Sequence, residues 1–500
     1  MKDRSKFKES LRFWIIVWGM GIAGQLCWNM ENQWFNTFVY SKIAKNVNIV
    51  TSMVIVSAFV TTVSTFLFGT LSDRQGKRKK YVSLGYIIWG VATIIFGLTE
   101  FLGRIAATQL LVAGILVVLT DSVMSFFGSM GYDCGYNTWL NDFTNDKNKG
   151  AVGAALAALP IFGTVVGTLL GGALVEIGNT TGDHANDNYL LLFGVMGGFV
   201  ILMGVISLFL MKDAPEVAPH RDGTFASQMF SAFNFNKLKK NPYNKEMWLA
   251  CVVVCMFFIP FNFYFTHMGN WMLYDLKFSA GDMGLIEGIS LLLAVALTIP
   301  FSRLINKNKI PLVTLIAVVL NAIGLFLMYF LVKDETSVDN TTAFAAKNIP
   351  LFLCVFIIGL GYVLIMQACM IWVRGLFPKE TRGQFEGVRV LFFVLIPMLV
   401  GTLIGNVIIK NTESGVSIND FGIEEQIPQE NLFLFAGILV VFTLVPLYFA
   451  AREYKKRLQS TAGSDNAETS ATEETNDATA PLTEDGHVAE AAESDIDKAE

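Results

Sequence analysis

Charged residues are scarce in this chain of 500 residues, where Asp, Glu, Lys and Arg together make up 16%. Soluble globular proteins carry about 25%. The charges here stand in short islands between apolar runs of about 20 residues, the length of a helix that crosses a bilayer. The scarcity therefore excludes a soluble multidomain protein, and the uninterrupted runs exclude the alternating strands of a membrane barrel.

Cysteine is also rare, and the six cysteines all fall within apolar runs: Cys27, Cys134, Cys251, Cys255, Cys354 and Cys369. Without a Cys-x-x-Cys pair, the sequence predicts neither a disulfide framework nor a zinc site. It also lacks a phosphate-binding glycine loop, a nucleophile motif and a metal-ligand cluster. We therefore expect no enzyme activity and no cofactor apart from a coupling ion, and the short basic islands predict no nucleic-acid partner.

The chain is 53% hydrophobic, and its apolar runs predict an all-α membrane protein with twelve spans. The first run has no small-residue cleavage site, so we interpret it as a retained helix and not a signal peptide. The predicted spans lie near 13–40, 48–71, 80–99, 107–138, 150–177, 188–211, 247–274, 281–302, 310–332, 349–373, 383–409 and 431–451.

The distribution of Lys and Arg predicts the orientation in the membrane. The N-terminus, the loops after even-numbered spans and the start of the C-terminal tail hold 28 basic residues, against 7 in the opposite loops. Positive loops remain in the cytoplasm. The sequence thus predicts a multi-pass protein of a bacterial-type inner membrane with both termini cytoplasmic.

The polar stretch 212–246 divides the spans six and six, which predicts bundles at 1–211 and 247–457 joined by a cytoplasmic loop. Trp139 and Trp372 are each followed eleven residues later by a glycine, at the end of the fourth and tenth spans. This echo favours an internal duplication. The tail 458–500 is acidic and of low complexity, so we expect it to be disordered.

The stretch "GTLSDRQGKRKK" at 69–80, between spans 2 and 3, resembles the signature loop of the major facilitator superfamily. The resemblance covers about 10–455 and implies two pseudo-symmetric six-helix bundles around a cavity that opens alternately to each side. It implies a gating role for Gly69, Asp73, Arg74, Gly76, Lys77 and Arg78.

Two readings of this loop are open. In the first, Gly69 permits close helix approach, and Asp73 latches the cytoplasmic side against a helix N-terminus or an arginine of the other bundle. In the second, the stretch is only a positive cytoplasmic loop, which explains the cations but not the acid with two glycines.

Span 1 carries amides in an apolar run. Gln25 and Asn29 share a helical face with Trp28 beside them, a combination suited to the hydroxyls and C–H face of a neutral polyol. The alternative is that the amides only bond neighbouring helices. Glu31 is a candidate for cation coupling, because ionisable groups at membrane depth are costly, although a solvated position near the end of the span would also explain it.

Span 4 has a polar stripe that includes Asp121, Asp133 and Asn137. Tyr132-Asp133, followed by Asp146 at the start of a basic loop, resembles the glycoside–pentoside–hexuronide cation symporters, and polar span 1 looks like the related sucrose–proton symporters. The first resemblance implies that Asp133 binds sugar. Asp121 and Asp133 are both candidates for the coupling cation.

The chain departs from that family in two places. Span 2 has no acidic residue where the family has paired acids for sodium, so we favour protons as the coupling ion over sodium. The lysine of span 11 is absent, and Glu386 and Arg389 stand there at i, i+3, a spacing that permits an ion pair. Two interpretations of this pair remain: it is a gate, or it is purely structural.

In the second half, Asn262 and Asn270 share a face of span 7 with Trp271 adjacent. We predict these three residues, together with Asn137 of span 4, as part of the substrate site. Glu287 in span 8 is a second candidate coupling carboxylate. These features together predict a secondary active transporter that takes up a sugar or glycoside with protons. The alternative is a proton-coupled exporter of drugs or metabolites. We expect a small-molecule substrate, a surrounding lipid bilayer and a monomer.

Overall fold

The computed structural model describes residues 11–102, 107–144, 148–214, 219–221, 223–233, 236, 241–332, 342–377, 387–412, 417–418 and 424–477. Twelve helices in these ranges are long and apolar enough to cross a membrane, which confirms the predicted spans. The first six are α1 Leu11–Ile43, α2 Val47–Gln75, α3 Lys79–Phe101, α4 Leu111–Phe143, α5 Ala151–Glu176 and α6 His184–Leu210. The others are α7 Asn244–Asp275, α8 Ala280–Asn306, α9 Ile310–Leu331, α10 Ala346–Gly375, α11 Gly387–Thr412 and α12 Asn431–Ser460.

The predicted disordered tail differs from the structure at its start. The last helix continues to Asp477, past the expected boundary at 458. The segment 459–477 contains the good helix formers Ala and Glu, among Ser, Thr, Asn and Asp residues that are poorer ones. Contacts divide the chain into one compact unit over Met1–Ala451 and a second over Arg452–Glu500.

Helix pairs within each bundle include α3 with α6 and α9 with α10. Two further pairs join the bundles, α5 with α8 and α2 with α11. We call the side at which α1 begins the N-terminal face and the side at which it ends the opposite face.

Glycines on α5 determine how closely it approaches α1. Gly163, Gly167 and Gly171 follow each other at i, i+4 and lie on one helical face. A Cβ at these positions would collide with Gln25, Asn29 and Trp34 of α1. Small residues at such spacing let membrane helices pack backbone to side chain, and here the indole N–H of Trp34 donates to the carbonyl of Gly167 at 3.2 Å.

Helices α1, α4, α7 and α11 each contain π-helical turns, among them Met30–Trp34, Ser129–Tyr136, Trp271–Asp275 and Val390–Leu395. Such turns widen the helix and often occur at functional sites. In this chain the π-helical turns of α1 and α4 contain Glu31 and Asp133, so two of the candidate acids lie where the helix geometry is irregular.

Hydrogen bonds join the bundles near the opposite face. The strands β1 Ser417–Ile418 and β2 Glu424–Glu425 pair antiparallel between α11 and α12. Directly after β2, the backbone N–H of Gln426 donates to the carbonyl of Lys45 at 2.8 Å. Asn406 of α11 donates to Asn48 of α2 at 3.1 Å. These contacts hold the bundles together on this side.

Candidate functional site

A cavity of about 480 Å³ lies between the two bundles. This is within the usual size range of small-molecule sites, about 300–1,000 Å³. Its wall extends from Asn36, in the second half of α1, to Arg389 at the start of α11. The cavity therefore reaches from the closed opposite face toward the N-terminal face.

The wall contributed by the first bundle is polar. Gln25, Trp28 and Asn29 of α1, three residues predicted for the substrate site, line it. The amide of Gln25 donates to the hydroxyl of Tyr132 at 2.6 Å, so a partner from α4 orients this side chain. Further polar groups of this wall are Asn32, Asn36, Ser57, Thr61, Thr65, Thr164 and Thr168.

Three carboxyl groups interact in this wall. Glu31 accepts a hydrogen bond from the hydroxyl of Ser125 at 2.8 Å and interacts electrostatically with Asp121 and Asp133. Asp121 is 1% exposed, and neither of its oxygens has a hydrogen-bond partner within the described residues. Asp133 is half-buried and accepts from the hydroxyl of Ser129 at 3.0 Å. Two helices thus assemble an acidic cluster beside the cavity.

The wall contributed by the second bundle is aromatic. Phe261 of α7 stacks on Tyr362 of α10, with ring centroids 4.6 Å apart and an interplanar angle of 10°. Phe258, Phe265 and Phe393 line the cavity around this pair. Sequence reasoning missed these residues because the chain has 41 phenylalanines, and composition alone does not separate cavity-lining rings from lipid-facing ones.

Asn262 and Glu287 also belong to the second-bundle wall. Asn262 donates its amide hydrogen to the carbonyl of Phe258 at 2.8 Å, one turn earlier on α7. Glu287 is buried and accepts a hydrogen bond from the amide of Gln33 on α1. This carboxylate therefore contacts the other bundle directly.

Three residues predicted for the substrate site lie elsewhere. Asn270 is fully buried and donates to the carbonyl of Asn36 at 3.3 Å, so it links the bundles near the opposite face. Trp271 is fully buried with its ring 4.6 Å from that of Phe433. Asn137 donates to the backbone carbonyl of Asp133 at 3.4 Å. None of the three is part of the cavity wall.

The loop between α2 and α3 is organised around Arg78. Its guanidinium pairs with Asp73 at 2.6 Å and with Asp142 at the end of α4 at 3.1 Å. Burial lowers the pKa of Arg78, but Asp73 and Asp142 raise it by more, so the pKa lies above its ordinary value. In this structure, which is closed at the opposite face, the partner of Asp73 is thus an arginine of its own loop. The latch to the other bundle, expected when the N-terminal face is closed, stays a prediction.

The N-terminus of α3 is occupied by a different carboxylate, that of Asp213. Asp213 accepts from the backbone N–H groups of Arg78 and Lys79, both at 2.7 Å, at the start of α3. Carboxylates stabilise this position because the helix dipole is positive there. Asp213 follows the end of α6 by three residues. The packing of α6 against α3 brings its carboxylate to the start of α3.

The remaining loop residues have separate positions. Gly76 has a φ of 64° and ends α2 in the left-handed conformation that glycine adopts without strain. A Cβ at Gly69 would lie 3.4 Å from the sulfur of Cys134, an ordinary contact, so close approach does not require glycine there. Arg74 donates to the side chain of Gln228 in the central loop at 2.9 Å, and Lys77 is exposed.

Arg389 lines the cavity at the start of α11. Its predicted partner Glu386 lies outside the described residues, as does Asp146 of the span 4 pattern. Arg389 brings a positive charge to a cavity whose acidic wall residues, among those that the structure describes, are Glu31, Asp121, Asp133 and Glu287.

Within the described part of the chain, twelve helices long enough to cross a membrane form two bundles around a cavity with a polar and an aromatic wall. This arrangement is that of a membrane carrier. The chain belongs to the Major Facilitator Superfamily, whose sequence profile matches residues 17–338 and 254–488. It is thus a transporter and not an enzyme. No curated protein matches the sequence.

Solved structures show the same fold. A mutant of the nucleoside transporter NupG is 14% identical, with 89% of this chain and 100% of that chain covered and a TM-score of 0.62. A bacterial homologue of the human lysosomal transporter Spinster, inward-facing and unoccupied, is 15% identical, with 91% and 98% covered and a TM-score of 0.58. At these identities the likeness concerns the fold alone.

Proposed function

We propose that the protein is a secondary active transporter that takes up a sugar or glycoside together with protons by alternating access. The observation that carries this proposal is the contrast between the two cavity walls. Amides, hydroxyls and carboxylates on one side match a polyol, while stacked rings on the other side match the apolar face of a sugar or the apolar group attached to it. The transporter acts as a monomer in this proposal.

The acidic cluster supports proton coupling. Asp121 and Glu31 interact across the gap between α4 and α1, and two neighbouring carboxylates repel each other when both are ionised. The pair can therefore take up and release one proton as the cavity changes sides. The cavity wall of α2 carries Ser57, Thr61 and Thr65 but no acid. We therefore favour protons over sodium as the coupling ion. Asp133 and Glu287 are further candidates for coupling.

In this proposal the substrate-binding residues are Asp133, Gln25, Trp28, Asn29 and Asn262, since these line the cavity. The resemblance of Tyr132-Asp133 to the glycoside–pentoside–hexuronide symporters, and of polar span 1 to the sucrose symporters, supports the same substrate class. Gating is assigned to the Arg78 cluster at the N-terminal face, where Asp73 would exchange its partner when that face closes. Arg389 is assigned to the entrance.

We also propose that both termini are cytoplasmic and that the membrane is a bacterial inner membrane, on the bias of 28 to 7 basic residues. The cavity described above would then open to the cytoplasm. A cysteine at the exposed position Thr180, on the opposite face, should react with a membrane-impermeant maleimide added to whole cells. A cysteine at the exposed Lys77 should react only after lysis. The reverse pattern would overturn the orientation.

Ligand-dependent thermal stability of the purified protein tests the substrate class. A ligand at 100 times its dissociation constant stabilises the folded state by about 2.7 kcal/mol, so a substrate should raise the melting temperature measurably. We expect a rise with at least one member of a panel of sugars and glycosides, and no dependence of that rise on sodium. No rise with the whole panel contradicts the proposal.

Two alternatives are outcomes of the same assay. The aromatic wall also fits the apolar pocket of a proton-coupled exporter, in which case lipophilic drugs and not sugars would stabilise the protein. A nucleoside combines a ribose with an aromatic base, and the fold is shared with the nucleoside transporter NupG. Stabilisation by nucleosides alone would indicate that the substrate is a nucleoside and not a sugar or glycoside.

A further inference from the structure

Four side chains form a chain of hydrogen bonds from α1 through α5 to α8. The amide of Asn29 donates to the hydroxyl of Thr168 at 3.3 Å. That hydroxyl donates to the amide oxygen of Gln33 at 2.8 Å, and the Gln33 amide nitrogen donates to the carboxylate of Glu287. Every donor points the same way, and the chain ends at an acceptor in the second bundle.

Thr168 fixes the orientation of the Gln33 amide. Because the Thr168 hydroxyl already donates to the amide oxygen, the amide nitrogen is the end that faces Glu287. The side chains are almost fully buried, with 5% of Gln33 and 9% of Glu287 exposed. A hydrogen bond to a carboxylate is stronger than a neutral one, and loss of a partner for a buried group is costly.

The link lies next to a close approach of the two bundles. A Cβ at Gly284 would lie 2.8 Å from the carbonyl oxygen of Thr168 and 3.2 Å from the Cα of Gly172, so the backbones of α8 and α5 are in contact. Glu287 is one helical turn from Gly284. The Gln33–Glu287 bond therefore lies beside the contact of α5 with α8, in a structure whose opposite face is closed.

We propose that Gln33 is a positioning residue that holds Glu287 against the first bundle and thereby sets the equilibrium between the two open states. The bond stabilises the state closed at the opposite face and is absent when that face opens. Asn29 and Glu287 both line the cavity. In the second part of the proposal, which rests on the proposed function, a substrate that accepts the Asn29 amide hydrogen weakens the hydrogen bond from Asn29 to Thr168.

Two cysteine reporters test the first part without any substrate. Thr37→Cys reports the opposite face, because Thr37 is fully buried against Gly269 of the second bundle. Thr65→Cys reports the N-terminal face from the cavity wall of α2. In Gln33→Leu we expect the maleimide reaction of the Thr37 reporter to become about tenfold faster and that of the Thr65 reporter to become slower. General loosening of the protein would instead raise both rates.

Thr168→Val keeps the size of the side chain and removes the hydroxyl, so it should shift both rates in the same directions by a smaller factor. If Gln33→Leu does not fold, Thr168→Val still tests the proposal. The matched control is Thr314→Val, since the Thr314 hydroxyl is buried in α9 and donates to the carbonyl of Ile310, within its own helix. Unchanged rates in the two test variants, or equal changes in the control, overturn the proposal.

The second part is measured with the sugar or glycoside that stabilises the parent best. It should change the rate of the Thr37 reporter in the parent protein at least threefold and leave Thr168→Val unchanged. An equal effect in both proteins removes the role of Asn29. If no sugar stabilises the parent, the proposed substrate class fails, while the two reporters without substrate still decide the role of Gln33.

Discussion

Asp133→Asn is expected to weaken sugar binding by about tenfold to a hundredfold. Asp133 lines the cavity next to Glu31, and a carboxylate can accept hydrogen bonds from two adjacent sugar hydroxyls. A hydrogen bond to a charged group contributes about 1.5–3 kcal/mol, and each 1.4 kcal/mol corresponds to about tenfold in affinity. The amide keeps one acceptor but loses the charge. Titration of thermal stability against sugar concentration measures the change.

Two controls separate a loss of binding from a loss of folding. The melting temperature without sugar should stay close to that of the parent, because the asparagine side chain has the same shape and can still accept from Ser129. Glu176→Gln removes a carboxylate at the exposed end of α5 and should leave sugar affinity unchanged. An Asp133→Asn variant that binds and concentrates sugar like the parent would contradict the assignment.

Asp121→Asn is expected to abolish proton-driven accumulation while exchange of substrate continues. Asp121 is buried, and neither of its oxygens has a hydrogen-bond partner among the described residues. Because asparagine has the same shape, the substitution should leave the packing around this position unchanged. An amide cannot release a proton, so transport by this variant no longer moves protons. For one proton per substrate, a pH difference of one unit supports about tenfold accumulation in the parent protein. In Asp121→Asn we expect no accumulation.

Uptake into vesicles distinguishes the two activities. With an imposed pH gradient, acid outside, the parent should accumulate substrate and Asp121→Asn should only equilibrate it. With equal pH and unlabelled substrate inside, both proteins should exchange at similar rates. The acid-driven accumulation of the parent should fall as the external pH rises, because fewer protons are available to drive it. Accumulation by Asp121→Asn equal to that of the parent would move the coupling role to Glu31, Asp133 or Glu287.

The sequence by itself determined the twelve helices and the acids among them. Apolar runs of bilayer length leave a backbone no alternative to helix in lipid. An ionisable residue within such a run is conspicuous, so Glu31, Asp121 and Glu287 could be selected without coordinates. The loop at 69–80 was recognised because its residues are close together in the chain.

Only the tertiary structure decided which side chains meet. Gln33 is one amide among several in α1, and its partner Glu287 is 254 residues away, so no local pattern connects them. The aromatic wall requires α7, α10 and α11 to face one cavity, and Asp213 reaches α3 only because α6 packs against it. In a chain rich in apolar residues, composition and spacing determine which segments are helices, whereas long-range helix contacts determine which polar groups share a site.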